Sequence, residues 1–273
     1  MLNEKDIIKY FSIVNSHAKK ELGQNFLISE NVVNDIVALL DLNENDFLLE
    51  IGPGLGAMSE KLINQTSRYV AVEYDKKFVD YLSKAFEDSN IEIVNQNILK
   101  YKDFSFNKIV GNLPYYISTD ILSFIIKNFD KLESATFMVQ KEFFDRITSK
   151  NKREKTPINF ELDYLFEVKK EFIVKKNCFF PAPTVDSIVF SIKQKKEKDR
   201  GFAGFLFKII EISFQNRRKN ISNNLKKIIP DADLRTAVFA NCNISESERP
   251  EDLTLDNFEK IATEILKQKK LKL

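Results

Sequence analysis

The sequence is short of the groups from which most hydrolytic and metal-dependent sites are built. Among 273 residues there is one histidine, His17, and there are two cysteines, Cys178 and Cys242. A single imidazole in a polar stretch leaves no Ser/His/Asp triad to consider and no multi-His metal site. The two thiols are far apart and match no metal or redox spacing, which reads as two reduced cysteines and no metal. Charge of one sign is also lacking. Lys and Arg number 42 against 40 Asp and Glu, so overall charge does not by itself imply a polyanionic partner. No apolar run approaches the roughly 20 residues needed to span a bilayer. The opening Met1-Leu2-Asn3-Glu4-Lys5-Asp6 carries acids where a secretory leader has a basic and then an apolar segment. The expectation is a cytoplasmic protein, off the membrane, whose chemistry needs no strong base at neutral pH.

What is present is an alternation. Apolar runs at Phe47–Ile51, Tyr69–Glu73, Ile91–Asn95, Lys108–Asn112 and Ala135–Val139 predict strands. Helical spacing follows Ser29 and recurs at about Met58–Asn64, Lys77–Phe86, Thr119–Asn128 and Glu142–Thr148. Strands alternating with helices predict an α/β fold with a parallel sheet covered on both faces. Beyond residue 150 comes a charged loop, Asn151–Lys155. Two further strands are predicted at Phe166–Val174 and Ser187–Lys193, as a closing antiparallel pair, and after a charged linker only helical patterns follow, at Phe205–Phe214, Arg218–Ile228 and Leu255–Leu266. The expected division is a doubly wound domain over residues 1–193 and a small helical domain over residues 194–273.

Two strand ends carry the chemistry. Asn112-Leu113-Pro114-Tyr115 closes a buried strand, where open α/β sheets place their ligands. Asn offers a carbonyl acceptor, Pro stiffens the turn, and Tyr offers a flat ring on which a base can stack. The set suits an exocyclic amine on a planar heterocycle. The second strand end, Glu50-Ile51-Gly52-Pro53-Gly54-Leu55-Gly56-Ala57, contains the G-x-G-x-x-G/A pattern. That turn alone leaves nicotinamide enzymes and other Rossmann-like proteins equally open. Glu73, ending the next strand, is placed to hold ribose hydroxyls. Glu50 beside the glycines would repel a pyrophosphate and could meet a cation. S-Adenosylmethionine fits both positions.

Taken together, these segments resemble the ribosomal RNA adenine N6-dimethyltransferase family nearly end to end. The blocks are Gly23-Gln24-Asn25-Phe26-Leu27, Glu50–Gly56, Val72-Glu73-Tyr74-Asp75, Gly111–Tyr115 with Ile117-Ser118-Thr119, Met138–Glu142, and Phe179-Phe180-Pro181-Ala182-Pro183-Thr184-Val185-Asp186-Ser187. The resemblance implies a Rossmann-like class I methyltransferase sheet with a small all-helical C-terminal domain. It implies S-adenosyl-L-methionine as cofactor, contacted by Asn25, Leu27, Gly52, Gly54, Glu73, Asn97 and Asn112. Two branches of the family exist, one modifying adjacent adenosines near the 3′ end of small-subunit rRNA, the other a large-subunit adenosine. Phe214-Gln215-Asn216-Arg217-Arg218-Lys219-Asn220, with Asn223-Asn224-Leu225 and Arg249–Leu253, is similar to the first. The implied partner is small-subunit rRNA in a pre-30S particle, met by a monomer.

Between residues 193 and 227, Lys193, Lys195, Lys196, Lys198, Arg200, Lys208, Arg217, Arg218, Lys219, Lys226 and Lys227 face only Glu197, Asp199 and Glu211. A solvated face explains that cluster as well as a polyanion does. Under the resemblance it becomes a phosphate-contacting face, with Arg217, Arg218 and Lys219 as RNA-binding residues. The sequence departs from the family pattern at Asn97, where an Asp is usual, at Thr184, where a Lys is common, and around Lys155–Phe160. A large-subunit enzyme, or a weakly catalytic ribosome-assembly factor on the same fold, are the alternatives. In the mechanism expected, the Asn112 side-chain oxygen and the Leu113 carbonyl accept from the adenine amine. Pro114 holds the turn, and Tyr115 and Phe179 stack on the two faces of the base.

Overall fold

The computed structural model describes residues 3–14, 17–18 and 24–271, with side chains to residue 268. Gly23 of the first family block lies outside the described residues, and so does the very start of the chain.

The first helix, α1 (Glu4–Ile13), begins at Asn3, whose side chain accepts from Lys5 and Asp6 backbone N–H groups while Asp6 returns the bond. Then come β1 (Phe26–Leu27), α2 (Glu30–Leu39), β2 (Phe47–Ile51), α3 (Ser59–Leu62), β3 (Arg68–Glu73), α4 (Lys76–Ala85) and β4 (Ile91–Asn95). The chain continues through β5 (Lys108–Asn112), α5 (Ser118–Asn128), β6 (Ser134–Gln140), α6 (Lys141–Ile147), α7 (Pro157–Leu165), β7 (Phe166–Val174), β8 (Phe179–Phe180) and β9 (Ser187–Gln194). Four helices follow: α8 (Arg200–Phe214), α9 (Ile221–Leu225), α10 (Ala232–Cys242) and α11 (Leu255–Leu271).

Seven strands form one sheet in the order β4-β3-β2-β5-β6-β9-β7. From β4 to β6 every neighbouring pair is parallel; β9 then runs antiparallel to β6. β2, β3, β5 and β6 are buried almost throughout, which is why they read as continuous apolar runs rather than alternating ones. The order moves outward from β2 to β4 and then returns to the other side of β2 at β5. The carboxyl ends of β2 and β5 therefore flank the switch point, where such sheets open a crevice. α4 is capped by Asp75 and buries Phe78, Val79 and Leu82; α5 buries Ile121, Leu122, Ile125 and Ile126. A separate ribbon pairs β1 with β8, setting Phe26 opposite Phe180 and Leu27 opposite Phe179.

The chain divides into two compact units. One comprises Met1–Phe144 with Glu167–Gln194; the other comprises Asp145–Phe166 with Lys195–Leu273. The single cut expected at residue 193 therefore misses an excursion. α7 groups with the C-terminal helices, where Phe160 meets Phe214 and Phe258 at ring separations of 5.7 and 5.1 Å. α7 opens on a Thr156/Asn159 capping box with Pro157 at its first position, a start signal inside a segment that otherwise carries no family block. α10 is also absent from the expectations. Its apolar residues form no continuous stripe, and it is defined by Asp231 at its start and by left-handed Asn243 at its end. α9 is shorter than predicted because Asn220 caps it, so the Arg217–Lys219 segment precedes the helix.

Candidate active site

The glycine turn after β2 supplies one wall of a cavity of about 340 Å³. Gly52 and Gly54 have φ of 67° and 60°, the left-handed region that disfavours a side chain. A Cβ at Gly52 would meet nothing within 4 Å, so the backbone there is bare toward the crevice. At Gly54 a Cβ would touch the Phe26 ring at 3.4 Å, and Phe26 itself lines the cavity.

Glu73 closes β3 and is 8% exposed. One of its oxygens accepts from the Gly54 N–H at 3.1 Å and the other from the Asp75 N–H at 2.8 Å. Burial pushes its carboxyl up while those backbone donors pull it down. Each oxygen keeps a further lone pair, which suits a carboxylate that must take hydroxyl donors from a ligand. Asn97 also lines the cavity and uses its side-chain oxygen to accept from Leu99 N–H at 2.9 Å. Asn25 and Leu27, from the β1 segment, line the same cavity.

Asn112 ends β5 and reaches the cavity from the other side of the switch point. Its amide nitrogen donates to the Asn25 backbone carbonyl at 3.4 Å, which turns the carboxamide so that its oxygen is the atom left to accept from a ligand. The Leu113 N–H donates to the Met138 carbonyl at 3.0 Å, and the Leu113 side chain is buried. Two donors, the Ser118 hydroxyl at 2.8 Å and the Ile117 N–H at 3.2 Å, converge on the Pro114 carbonyl. The turn is thus fixed on both sides of the Leu113 carbonyl. Tyr115 is mostly buried, and its hydroxyl shares a 2.9 Å hydrogen bond with Ser187. Burial raises that phenol above its ordinary value, against the Ser187 bond, so it is neutral at physiological pH.

Three expectations change. Glu50 does not face the crevice. Its neighbour Ile51 lines the cavity, and strand alternation sends Glu50 to the opposite face of β2. There it is fully buried, accepting from Ser59 at 2.6 Å and from the Tyr69 hydroxyl. Burial lifts its carboxyl to about 7, so it holds a proton more readily than a surface Glu does. Phe179 is 2% exposed, packed in the core with Leu27, Val33 and Val174, and offers no face to a base. Its pairing with Leu27 across the β1–β8 ribbon is the reason. Arg217 donates to the Arg153 carbonyl at 2.8 Å and lies 3.8 Å from the Glu251 carboxylate, so it ties the helical unit together. Arg218 and Lys219 are exposed.

Three residues at or beside the site went unassigned in the sequence. Tyr74 and Tyr116 line the cavity and are 64% and 56% exposed, two large rings at its mouth. Ser187 meets Tyr115 from 72 positions away. Tyr74 lies within the Val72–Asp75 block and Tyr116 adjoins Gly111–Tyr115, so both positions carry a sequence signal; the Tyr115–Ser187 pair has none.

A family model described as ribosomal RNA adenine dimethylase matches residues 15–267. The chain belongs to that family. A protein of Malacoplasma penetrans named ribosomal RNA small subunit methyltransferase A is 38% identical over 261 residues, covering 91% of this chain and 93% of that one. Its namesake in Mycoplasma mycoides subsp. mycoides is 37% identical over 261 residues, covering 89% and 96%. Among solved structures, a dimethyladenosine transferase from Plasmodium falciparum superposes with a TM-score of 0.72 at 20% identity, covering 89% of this chain and 98% of that one. The 23S rRNA methyltransferase ErmE does so with 0.65 at 22%, covering 88% and 99%. Those two likenesses establish the Rossmann-like methyltransferase fold.

Membership in the family makes the chain an adenine methyltransferase, and family and fold together imply S-adenosylmethionine as methyl donor. The residues present fit that group: a bare glycine backbone, a buried carboxylate with spare lone pairs, and aromatic walls. Among the described residues no cluster of His, Cys, Asp and Glu could hold a metal, and no helix is long and apolar enough to cross a membrane.

Proposed function

We propose that this protein dimethylates N6 of two adjacent adenosines in the loop near the 3′ end of 16S rRNA, acting as a monomer on a pre-30S particle in the cytoplasm. The observation that carries the reading is the Asn112 carboxamide. It stands at the switch point with its nitrogen engaged by Asn25 and its oxygen left to accept, directly before a pinned Leu113-Pro114 turn. The small-subunit assignment is supported by the names of relatives that align along nine-tenths of the chain, and by Phe214–Asn220 in the helical unit.

An adenine amine is a weak nucleophile because its lone pair is delocalised into the ring. The Asn112 oxygen and the Leu113 carbonyl accept from its two N–H bonds, which favours a pyramidal nitrogen and frees the lone pair. When bound, S-adenosylmethionine supplies an electrophilic methyl group. Glu73 would hold its ribose hydroxyls, Gly52 and Gly54 would lie against its amino-acid portion, and Asn97 would sit at its adenine. The nitrogen gains a carbon and releases a proton to solvent after the transfer, so no general base is called for. The monomethylated amine keeps one N–H, and either acceptor can hold it for the second round. Tyr115 stacks on one face of the extruded base, a contact worth about 1–3 kcal/mol.

Arg218 and Lys219 are exposed on the helical unit and would contact RNA phosphates. Purified protein, labelled S-adenosylmethionine and unmethylated small-subunit particles, followed by mass-spectrometric mapping, test the reading. Dimethyladenosine at two adjacent positions near the 3′ end is expected. Label appearing only in large-subunit particles, or particle binding with no label at all, would overturn it in favour of a large-subunit enzyme or an assembly factor.

A further inference from the structure

We propose that Ser187 is a positioning residue for methyl transfer, acting through Tyr115. The inference rests on the function proposed above. Tyr115 follows the Asn112-Leu113-Pro114 turn, and its hydroxyl lies 2.9 Å from the Ser187 hydroxyl. Ser187 has no exposed surface and opens β9, opposite Gln140 at the end of β6. Its own place is fixed from several directions. The preceding Asp186 accepts from Lys176 N–H at 3.1 Å, pairs with the Lys175 ammonium at 2.9 Å, and accepts through its carbonyl from Lys141 N–H at 3.2 Å. β6 also anchors the turn directly, through the Met138 carbonyl and Leu113 N–H. The β6/β9 strand ends thus hold the turn at two points, its backbone at Leu113 and the tip of its aromatic ring at Tyr115.

That second point matters because a ring joined to the backbone by two rotatable bonds can present many faces. A tether at the hydroxyl leaves one. The ring is then oriented before the base arrives, and the ordering is not left to the binding step. Stacking area alone would be served equally by Phe; the hydroxyl is the part that distinguishes Tyr here. Ser187 does not touch the base or the methyl donor in this arrangement, so its effect passes through the Tyr115 ring.

The test is a double-mutant cycle with Ser187→Ala, Tyr115→Phe and the two combined. Methylation of small-subunit particles is measured under saturating substrate, alongside affinity for S-adenosylhomocysteine and the thermal midpoint. One hydrogen bond of ordinary strength corresponds to about a tenfold change. The expected result is a kcat lowered about 10-fold in S187A, with S-adenosylhomocysteine affinity within about 2-fold of wild type. In the double variant the loss should be no more than about 3-fold beyond the worse single, because both changes break one bond. A kcat within about 2-fold of wild type in S187A overturns the inference, and so do single losses that multiply in the double variant. Those outcomes leave the proposed function standing. Wild-type protein that leaves the particles unmethylated overturns both.

Discussion

Glu50→Gln should stabilise the protein increasingly as pH rises above about 4.5, with the full effect from about pH 7 upward. The Glu50 carboxyl is fully buried behind the glycine turn, with Ser59 and Tyr69 donating to one oxygen and no hydrogen-bond partner for the other among the described residues. Burial raises its pKa from 4.5 to about 7; the two donors oppose that shift and the nearby Glu73 charge adds to it. At roughly 1.4 kcal/mol per tenfold, ionising the group in the folded state costs about 3 kcal/mol more than in the unfolded chain. The folded protein binds more protons than the unfolded chain between pH 4.5 and 7. Stability therefore falls as pH rises through that window, with no penalty below it and the full penalty above it. Glutamine cannot ionise and keeps an oxygen for Ser59 and Tyr69. The stability of E50Q minus that of wild type should be flat near pH 4.5 and rise by about 3 kcal/mol by pH 8. Urea unfolding of both proteins across that range reads it, and carboxyls that do not interact with Glu50 cancel in the difference, while the Glu73 coupling is part of the shift being read. A difference that does not change with pH would refute the reasoning.

Four further outcomes are expected. Asn112→Ala should lower kcat at least about 100-fold while S-adenosylhomocysteine binding weakens far less, since the side-chain oxygen serves the amine; equilibrium binding and single-turnover methylation separate the two effects. Arg235 is 7% exposed and donates to the Ile229 and Pro230 carbonyls at 2.7 and 3.0 Å and to Ser222 at 3.3 Å, so Arg235→Met should cost about 3 kcal/mol in a thermal melt by stranding buried acceptors. Arg218→Ala and Lys219→Ala should each reduce the salt dependence of particle binding by about one unit of slope without lowering the melting temperature. Arg217→Ala should lower it, because that side chain holds the Arg153 carbonyl.

The sequence by itself determined the strands and the reaction class. Parallel strands buried on both faces must be apolar throughout, so Phe47–Ile51 and Lys108–Asn112 stand out with their observed ends. Glycine at positive φ and an Asn at a strand terminus are local requirements, and local requirements leave local marks. Family blocks spread along the chain then gave substrate class and cofactor together.

What the tertiary structure decided is direction and company. Whether Glu50 meets a ligand depends on which face of β2 it takes, and the ligand face belongs to Ile51. Whether Phe179 is a stacking ring or a core residue depends on a two-residue ribbon with Leu27, far away in sequence. The pairing of Tyr115 with Ser187, and of α7 with α8 and α11, are likewise contacts between distant segments. A composition pattern records which residues must be buried or bent. It does not record which distant partner buries them, because any apolar or hydroxyl-bearing surface of the right shape would satisfy the same pattern.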